Sequence, residues 1–284
     1  MRTGLQRALL LIWLGALPTA ARAQDAGNMP AAATPAATTN SAAGAEAAQS
    51  AWLASFPASQ RRQLTPNQPV LIWSPLRQWR GELILLPAAG NAVHSQGPLL
   101  QLAEALRERG WRIWLLARER PNPPLPAQAE QAPDRAPPLT ETDLQAMLAL
   151  VKKESAPADV EAVAEAPLPL FVLAQHDAAT GIWPLVSGSA ATIGGFVLLS
   201  ATTVPDQAPA QPVLELHMAA EAREVPAAAR ERQRRWQHLP QYQQQVLLTS
   251  QRHPIPAWLV NSIDGWLRKT ALASETAPPD DSLR

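Results

Sequence analysis

The chain of 284 residues contains no cysteine, which excludes a disulfide scaffold, a thiolate metal site and a cysteine nucleophile. Basic and acidic residues number 24 each, so the formal net charge is +0 and no excess of positive charge attracts nucleic acid. Phosphate-binding motifs of the GxGxxG and Walker A kinds are also absent. We therefore expect neither a nucleic-acid partner nor a nucleotide cofactor.

Histidine is scarce, with five residues, and none of them has the spacing of a metal site. Four histidines are predicted near one edge of a sheet: His94, His176, His217 and His253. The chain has no pair such as HxxxH on one predicted helix, so we expect no bound metal and no other cofactor.

Tyrosine and phenylalanine are scarce as well, at one and three residues, whereas tryptophan numbers 10. Trp111 and Trp114 lie three apart in one predicted strand, so they must face opposite sides of the sheet. Burial in the core is the simplest role for these side chains, because the indole ring has a large apolar area. The alternative is a group of exposed tryptophans that stack on a sugar ring of an envelope glycan.

An apolar run, Ala8–Leu17, lies close to the start of the chain. Arg2 and Arg7 precede it, and the small-x-small triplet Ala21-Arg22-Ala23 follows it. This order predicts a secretory signal peptide over residues 1–23, and the run is too short for the roughly 20 residues of a membrane span. We therefore expect a periplasmic protein that has no transmembrane anchor after cleavage.

Segments rich in alanine and proline divide the rest of the chain. Residues 24–49 have almost no large apolar side chains, which predicts a disordered linker. The same composition predicts disordered insertions at about 120–138 and 154–167, and the polar residues 271–284 predict a disordered tail. One domain over residues 50–270 remains.

Within this domain, apolar runs of strand length alternate with helical patterns, which predicts an α/β fold with a mostly parallel sheet. The predicted strands are Val70–Trp73, Leu83–Leu86, Ile113–Ala117, Leu170–Ala174, Phe196–Ser200, Val213–Leu216 and Val246–Leu248. The predicted helices are Leu99–Arg109, Asp143–Lys153, Ala178–Val186, Ala222–Trp236 and Ala257–Lys269. The strands are nearly continuous apolar runs, as expected of a sheet covered on both faces.

The order of these elements resembles that of an α/β-hydrolase. The resemblance is clearest in Leu83–Ala117, in Gln211–His217 and in the stretch from His253 to Leu267. Together with helix Ala228–Gln237 and Tyr242, these segments are similar to an uncharacterised bacterial family of periplasmic α/β-hydrolase-like proteins, over roughly Arg62 to Arg268. The resemblance implies an α/β-hydrolase-like three-layer sandwich with a mostly parallel sheet.

That fold places its nucleophile on a tight turn between a strand and a helix, with small residues two before and two after it. When residues are counted from the end of strand Leu170–Ala174, Asp177 stands at the nucleophile position and no serine does. Gln175 then occupies the first small-residue position, where its bulk crowds the turn. We therefore interpret this turn, called the nucleophile elbow or elbow below, as degenerate. We predict a non-catalytic module that binds an unknown small molecule or envelope component.

The alternative is a hydrolase in which Asp177 attacks carbon, as in the dehalogenase and epoxide-hydrolase branch that this order of residues resembles. Glu221 would be its acid and His253 would activate water, with an ester, epoxide or haloalkane-like substrate. The backbone near Ala88, the side chain of Asn91 and the backbone N–H of Ala178 are the predicted oxyanion donors.

Each of the three predicted catalytic residues also has a structural interpretation. Asp177 precedes a predicted helix, where its carboxylate would cap the free backbone N–H groups. Glu221 begins an arginine-rich helix and would complement its dipole. His253 precedes Pro254 in a loop, where exposed histidines are common.

Overall fold

The computed structural model describes residues 51–65, 68–88, 98–117, 139–155, 168–188, 192–202, 204–219, 224–248 and 257–276. The predicted signal peptide, the 24–49 linker, the 120–138 insertion and nearly all of the 154–167 insertion lie outside these residues. In the described part of the chain no helix is both long enough and apolar enough to cross a bilayer.

The described residues form a short helical segment at 51–54, a 3-10 turn at Ala58–Gln60, eight strands and five longer α-helices. The strands are β1 (Arg61–Thr65), β2 (Gln68–Trp73), β3 (Gly81–Leu86), β4 (Trp111–Leu116), β5 (Leu170–Gln175), β6 (Gly195–Leu199), β7 (Val213–Ala219) and β8 (Tyr242–Leu248). The helices are α1 (Pro98–Glu108), α2 (Glu141–Ser155), α3 (Ala178–Ser187), α4 (Ala227–Trp236) and α5 (Ala257–Thr276).

All eight strands join one sheet in the order β1-β2-β4-β3-β5-β6-β7-β8. The β1–β2 and β2–β4 pairs are antiparallel. The remaining pairs, β4–β3, β3–β5, β5–β6, β6–β7 and β7–β8, are parallel. The carboxyl ends of β3 to β8 therefore lie along one edge. Ligand sites of open α/β sheets form outside this edge, at the ends of the strands.

Successive residues of β3 show that helices cover both faces of the sheet. Leu83 and Leu85 pack in a cluster that includes side chains of α1 and α5. Ile84 and Leu86 pack in a second cluster, with side chains of α2, α3 and α4. This alternation confirms the predicted three-layer sandwich and explains why most residues of the central strands are apolar on both faces of the sheet.

Tryptophan fills both layers of the core. As predicted, Trp111 and Trp114 belong to opposite clusters. Each ring buries its apolar area and donates its indole N–H to a buried carboxylate: Trp111 to Asp264 at 2.9 Å, and Trp114 to Glu82. Satisfied donors of this kind allow an indole to be fully buried without loss of a hydrogen bond.

Four elements differ from the sequence predictions in ways that matter for the fold, beside small shifts at the ends of other elements. Strand β1 was not expected, because its residues RRQLT are polar, as suits an edge strand. Strand β8 begins at Tyr242 and not at Val246, because its first half contains three glutamines and is not an apolar run. Helix α4 begins at Ala227, after Pro226, rather than at Ala222. Helix α5 continues to Thr276, so the first six residues of the predicted tail are helical.

The turn after α1 requires glycine at position 110. Gly110 has φ of 99°, and a Cβ there would lie 2.2 Å from the carbonyl oxygen of Gln78.

Gly110→Ala should therefore lower the free energy of unfolding by about 2 kcal/mol or more, measured by urea denaturation. The matched control is Gly265→Ala in α5, where a Cβ meets nothing within 4 Å. It should raise stability by about 0.5–1 kcal/mol, and equal effects of the two changes would contradict this assignment.

Candidate functional site at the carboxyl edge of the sheet

The turn from β5 to α3 carries a strained residue, His176. Its φ is 50°, in the left-handed region that non-glycine residues rarely adopt. Its backbone N–H donates to the carbonyl of Leu199, at the end of β6, at 3.0 Å. Strand pairing on one side and α3 on the other thus hold the backbone in this conformation.

The strained position of the turn is His176 and not Asp177, as the sequence analysis placed it. The reason is that Gln175 still pairs with Leu199 and belongs to β5, so the strand is one residue longer than predicted. The residues two before and two after His176 are Ala174 and Ala178, which are both small and fully buried. The predicted crowding by Gln175 therefore does not arise, and the turn departs from a nucleophile elbow only in its central residue.

The imidazole of His176 has a defined orientation. Its Nδ1 lies 3.0 Å from the carbonyl oxygen of Ser200. Because a carbonyl can only accept, Nδ1 must carry the proton in this hydrogen bond. In the neutral ring Nε2 is then left with its lone pair, and the side chain is only partly buried.

Asp177 follows the elbow with ordinary helical backbone angles. It stands at the N-cap position of α3, but its side chain makes no capping hydrogen bond. The interpretation of Asp177 as a helix cap is therefore wrong. Its role as a nucleophile stays a prediction.

A buried ionic cluster lies between β7 and α4. Glu215, with no exposed surface, accepts hydrogen bonds from His217 at 2.8 Å, from Tyr242 at 2.5 Å and from the Arg232 guanidinium. His217 and Arg232 are themselves buried. Every polar atom of the Glu215 carboxylate therefore has a partner, as a charge removed from water requires.

Arg232 also connects this cluster to the carboxyl edge. Its guanidinium donates to the carbonyl of Ala201 at 3.3 Å, directly after the Ser200 carbonyl that accepts from His176. Ser200 has φ of 53°, and its N–H donates to Leu216 in β7 at 2.7 Å. The two-residue segment Ser200-Ala201 is thus held from three sides: by β7, by Arg232 and by the elbow imidazole.

The hydrogen bonds to Glu215 control its protonation. Burial acts to raise the pKa of the Glu215 carboxyl, but the hydrogen bonds from His217, Arg232 and Tyr242 and the charge of Arg232 outweigh burial and lower the pKa to about 2. Burial and the neighbouring Glu215 charge raise the pKa of the Tyr242 hydroxyl. The cluster therefore contains a carboxylate and a neutral phenol at neutral pH.

This cluster was not predicted from the sequence, although one feature of the sequence indicates it. Glu215 and His217 alternate with leucines in a predicted strand, which places both polar side chains on one face of a buried sheet. Arg232 is one of several arginines in a helix described above only as arginine-rich, and no role was predicted for it. Arg232 lies three residues after the buried Ala229 and four before the buried Trp236, on the same helix face, and this spacing distinguishes it from the largely exposed Arg234.

Solved structures of hydrolases resemble this chain, whereas no protein-family model and no curated protein matches it. A sugar hydrolase from Lactococcus lactis superposes with a TM-score of 0.52 at 12% identity, over 75% of this chain and 98% of that one. A lidless serine hydrolase from Xanthomonas campestris gives a TM-score of 0.43 at 16% identity, over 79% and 99%. For a variant of monoglyceride lipase from Saccharomyces cerevisiae the TM-score is 0.47 at 11% identity, over 76% and 96%.

The chain has an α/β-hydrolase fold. The likeness to the sugar hydrolase shows this architecture, and the eight-stranded, mostly parallel sheet between two helical layers agrees with it. At such low identity the likeness extends to the fold alone, so the chemistry must be argued from the site.

The other predicted members of an α/β-hydrolase site fall into two groups. Ala88 is buried and follows β3, whose Leu86 pairs with Ala174 beside the elbow. Ala178 is the buried first residue of α3. Both therefore lie close to the elbow, and their role as oxyanion donors stays a prediction. The predicted residues Asn91, Glu221 and His253, together with His94, lie outside the described residues.

Metal ligands do not cluster in the described residues, where no group of three or more histidine, aspartate or glutamate side chains could hold an ion. His176 donates toward a carbonyl and His217 toward a carboxylate, so the two described histidines of the predicted edge have separate hydrogen-bond partners.

The lowered pKa of Glu215 predicts an acid-sensitive contribution to stability. Because the pKa falls from 4.5 in the unfolded chain to about 2 in the folded one, the contribution is complete above pH 4.5 and is lost as the pH falls toward 2. Its size is on the order of 3 kcal/mol. In urea denaturation, Glu215→Gln should be less stable than the wild type at neutral pH, and the difference should shrink as the pH falls toward 3. A difference that stays constant with pH would contradict the assignment.

Proposed function

We propose that the protein is a periplasmic binding module built on the α/β-hydrolase fold, of the uncharacterised bacterial kind that its sequence resembles. One observation carries this proposal: the strained elbow position holds His176. An imidazole has no oxygen with which to form the ester intermediates of a serine or aspartate hydrolase. The elbow would then hold a ligand, a small molecule or an envelope component, without cleaving it.

A sugar-containing ligand receives support from one tryptophan. Trp258 is 37% exposed and lies in the first turn of α5, the helix that follows the carboxyl end of β8. It therefore belongs to the same edge of the sheet as His176. Trp79, at 39%, is the other described tryptophan with a large exposed fraction, but it lies before β3, at the opposite edge, and has Arg112 against its ring.

The proposal predicts no turnover that depends on the elbow. Wild type, His176→Ala and Asp177→Asn should hydrolyse ethyl butyrate, styrene oxide and 1-bromobutane at the same background rate, within about twofold, because under this proposal no elbow side chain attacks these unactivated substrates. Release of butyric acid, diol and bromide is the measurement, and thermal unfolding confirms that each variant is folded.

A second candidate function is hydrolysis by Asp177 with Glu221 and His253. It is favoured by one observation: Asp177 directly follows the strained His176 and stands at the start of α3, at the carboxyl edge of the sheet. Turnover of any of the three substrates by the wild type that falls at least a hundredfold in Asp177→Asn would establish this alternative and end the binding-only proposal.

Export to the periplasm is a separate part of the proposal, and it predicts a defined mature amino terminus. Expressed in a Gram-negative host, the chain should appear in the periplasmic fraction beginning at Gln24, because signal peptidase cleaves after the triplet Ala21-Arg22-Ala23. Ala23→Asp should retain the precursor, whereas Ala33→Asp, in the linker, should be processed normally. Intact-mass measurement distinguishes these products, and an uncleaved cytoplasmic wild type would refute export.

A further inference from the structure

We infer that the elbow imidazole is a fixed hydrogen-bond acceptor for a hydroxyl or N–H group of the ligand, and that the buried Glu215–Arg232 pair positions it. The inference rests on the proposed binding function and names both the ligand chemistry and a positioning device for that site. Three sets of contacts support it. They are the contacts of the His176 ring, those of the Ser200-Ala201 segment that accepts the ring's proton, and those of the Glu215–Arg232 pair that binds this segment.

The first set of contacts defines what the ring offers. The Ser200 carbonyl accepts the Nδ1 proton of His176 at 3.0 Å, so the lone pair of the neutral ring lies on Nε2. In the described residues no protein group is hydrogen-bonded to Nε2, and the ring is partly exposed. The group that binds there must donate, which selects a hydroxyl or N–H and rejects a bare carbonyl or ether oxygen.

The second set of contacts holds the carbonyl that orients the ring. Ser200 adopts φ of 53°, a conformation that costs on the order of 1 kcal/mol and persists only where surrounding contacts hold it. The Ser200 N–H donates to Leu216, and the Arg232 guanidinium donates to the next carbonyl, that of Ala201. Together these two contacts determine where the Ser200 carbonyl points.

The third set of contacts holds Arg232. Among the described residues its guanidinium has one carboxylate partner, Glu215, which is in turn held by His217 and Tyr242. A buried ion pair adds little stability over an apolar pair of similar volume, because both charges must leave water. What an apolar pair cannot supply is the donor to Ala201. We therefore assign to the pair a positioning role in addition to its packing.

Nuclear magnetic resonance of the histidine rings tests the acceptor directly. In the mature full-length protein labelled with ¹⁵N-histidine, His176 should show a protonated Nδ1 and an unprotonated Nε2 at a pH where imidazoles are neutral. The spectrum of His176→Asn assigns its signals. A proton on Nε2 instead would overturn the inference, while leaving open that the elbow binds a ligand in another way.

The double variant Glu215→Gln/Arg232→Met tests the positioning role without leaving a buried charge unpaired. It should convert the single tautomer of His176 into a mixture, whereas Arg234→Met, an exposed change on the same helix, should not. If the double variant fails to fold, Arg232→Lys, which keeps the charge but loses the guanidinium fork, serves in its place. An unchanged tautomer in either folded variant would overturn the positioning role.

Diethyl pyrocarbonate, which acylates unprotonated imidazole nitrogen, separates this inference from the proposed function. Peptide mass spectrometry should show His176 modified at least tenfold faster than His217, whose Nε2 is buried against Glu215. If His176 has the expected tautomer but resists the reagent, the elbow is closed to ligands. The proposed function then fails, together with the ligand contact, and the positioning role stands.

Discussion

The parallel pairing of β5 with β6 is the constraint on which the site depends. It brings the ends of the two strands side by side, so that the chain must leave the sheet within the two residues that separate β5 from α3. The left-handed backbone of His176 is the result. The same pairing places the Ser200 carbonyl where it accepts the Nδ1 proton of His176. The register of β5 on β6 therefore determines both the strained backbone of His176 and the direction of its side chain.

The polar groups of the interior show how an apolar sandwich accommodates charge. Glu82 and Asp264 accept indole protons on opposite faces of the sheet, and Glu215 accepts from three side chains. In each case the carboxylate loses water and gains charged or strongly polarised donors. Around Glu215 the donors come from β7, α4 and β8, so the cluster ties together elements that are distant in the chain.

Much of the fold could be predicted from the sequence, because the main strands are short apolar runs and the helices have apolar faces. The elements that escaped prediction are those with polar residues, β1 at the edge and the first half of β8. At the elbow the error was a single residue, since Gln175 breaks the apolar run but still pairs with Leu199. Such a shift does not alter the fold, but it exchanges Asp177 for His176 at the strained position.

The sequence alone determined which residues could form a core and which nucleophiles are missing, because composition and apolar spacing are properties of the chain itself. It excluded thiol chemistry and a serine at the elbow, and it indicated an α/β architecture. Only the tertiary structure decided that His176 is the strained residue, that its proton lies on Nδ1, and that Glu215 and Arg232 meet. These facts depend on strand register and on contacts between residues far apart in the chain, which local sequence patterns do not encode.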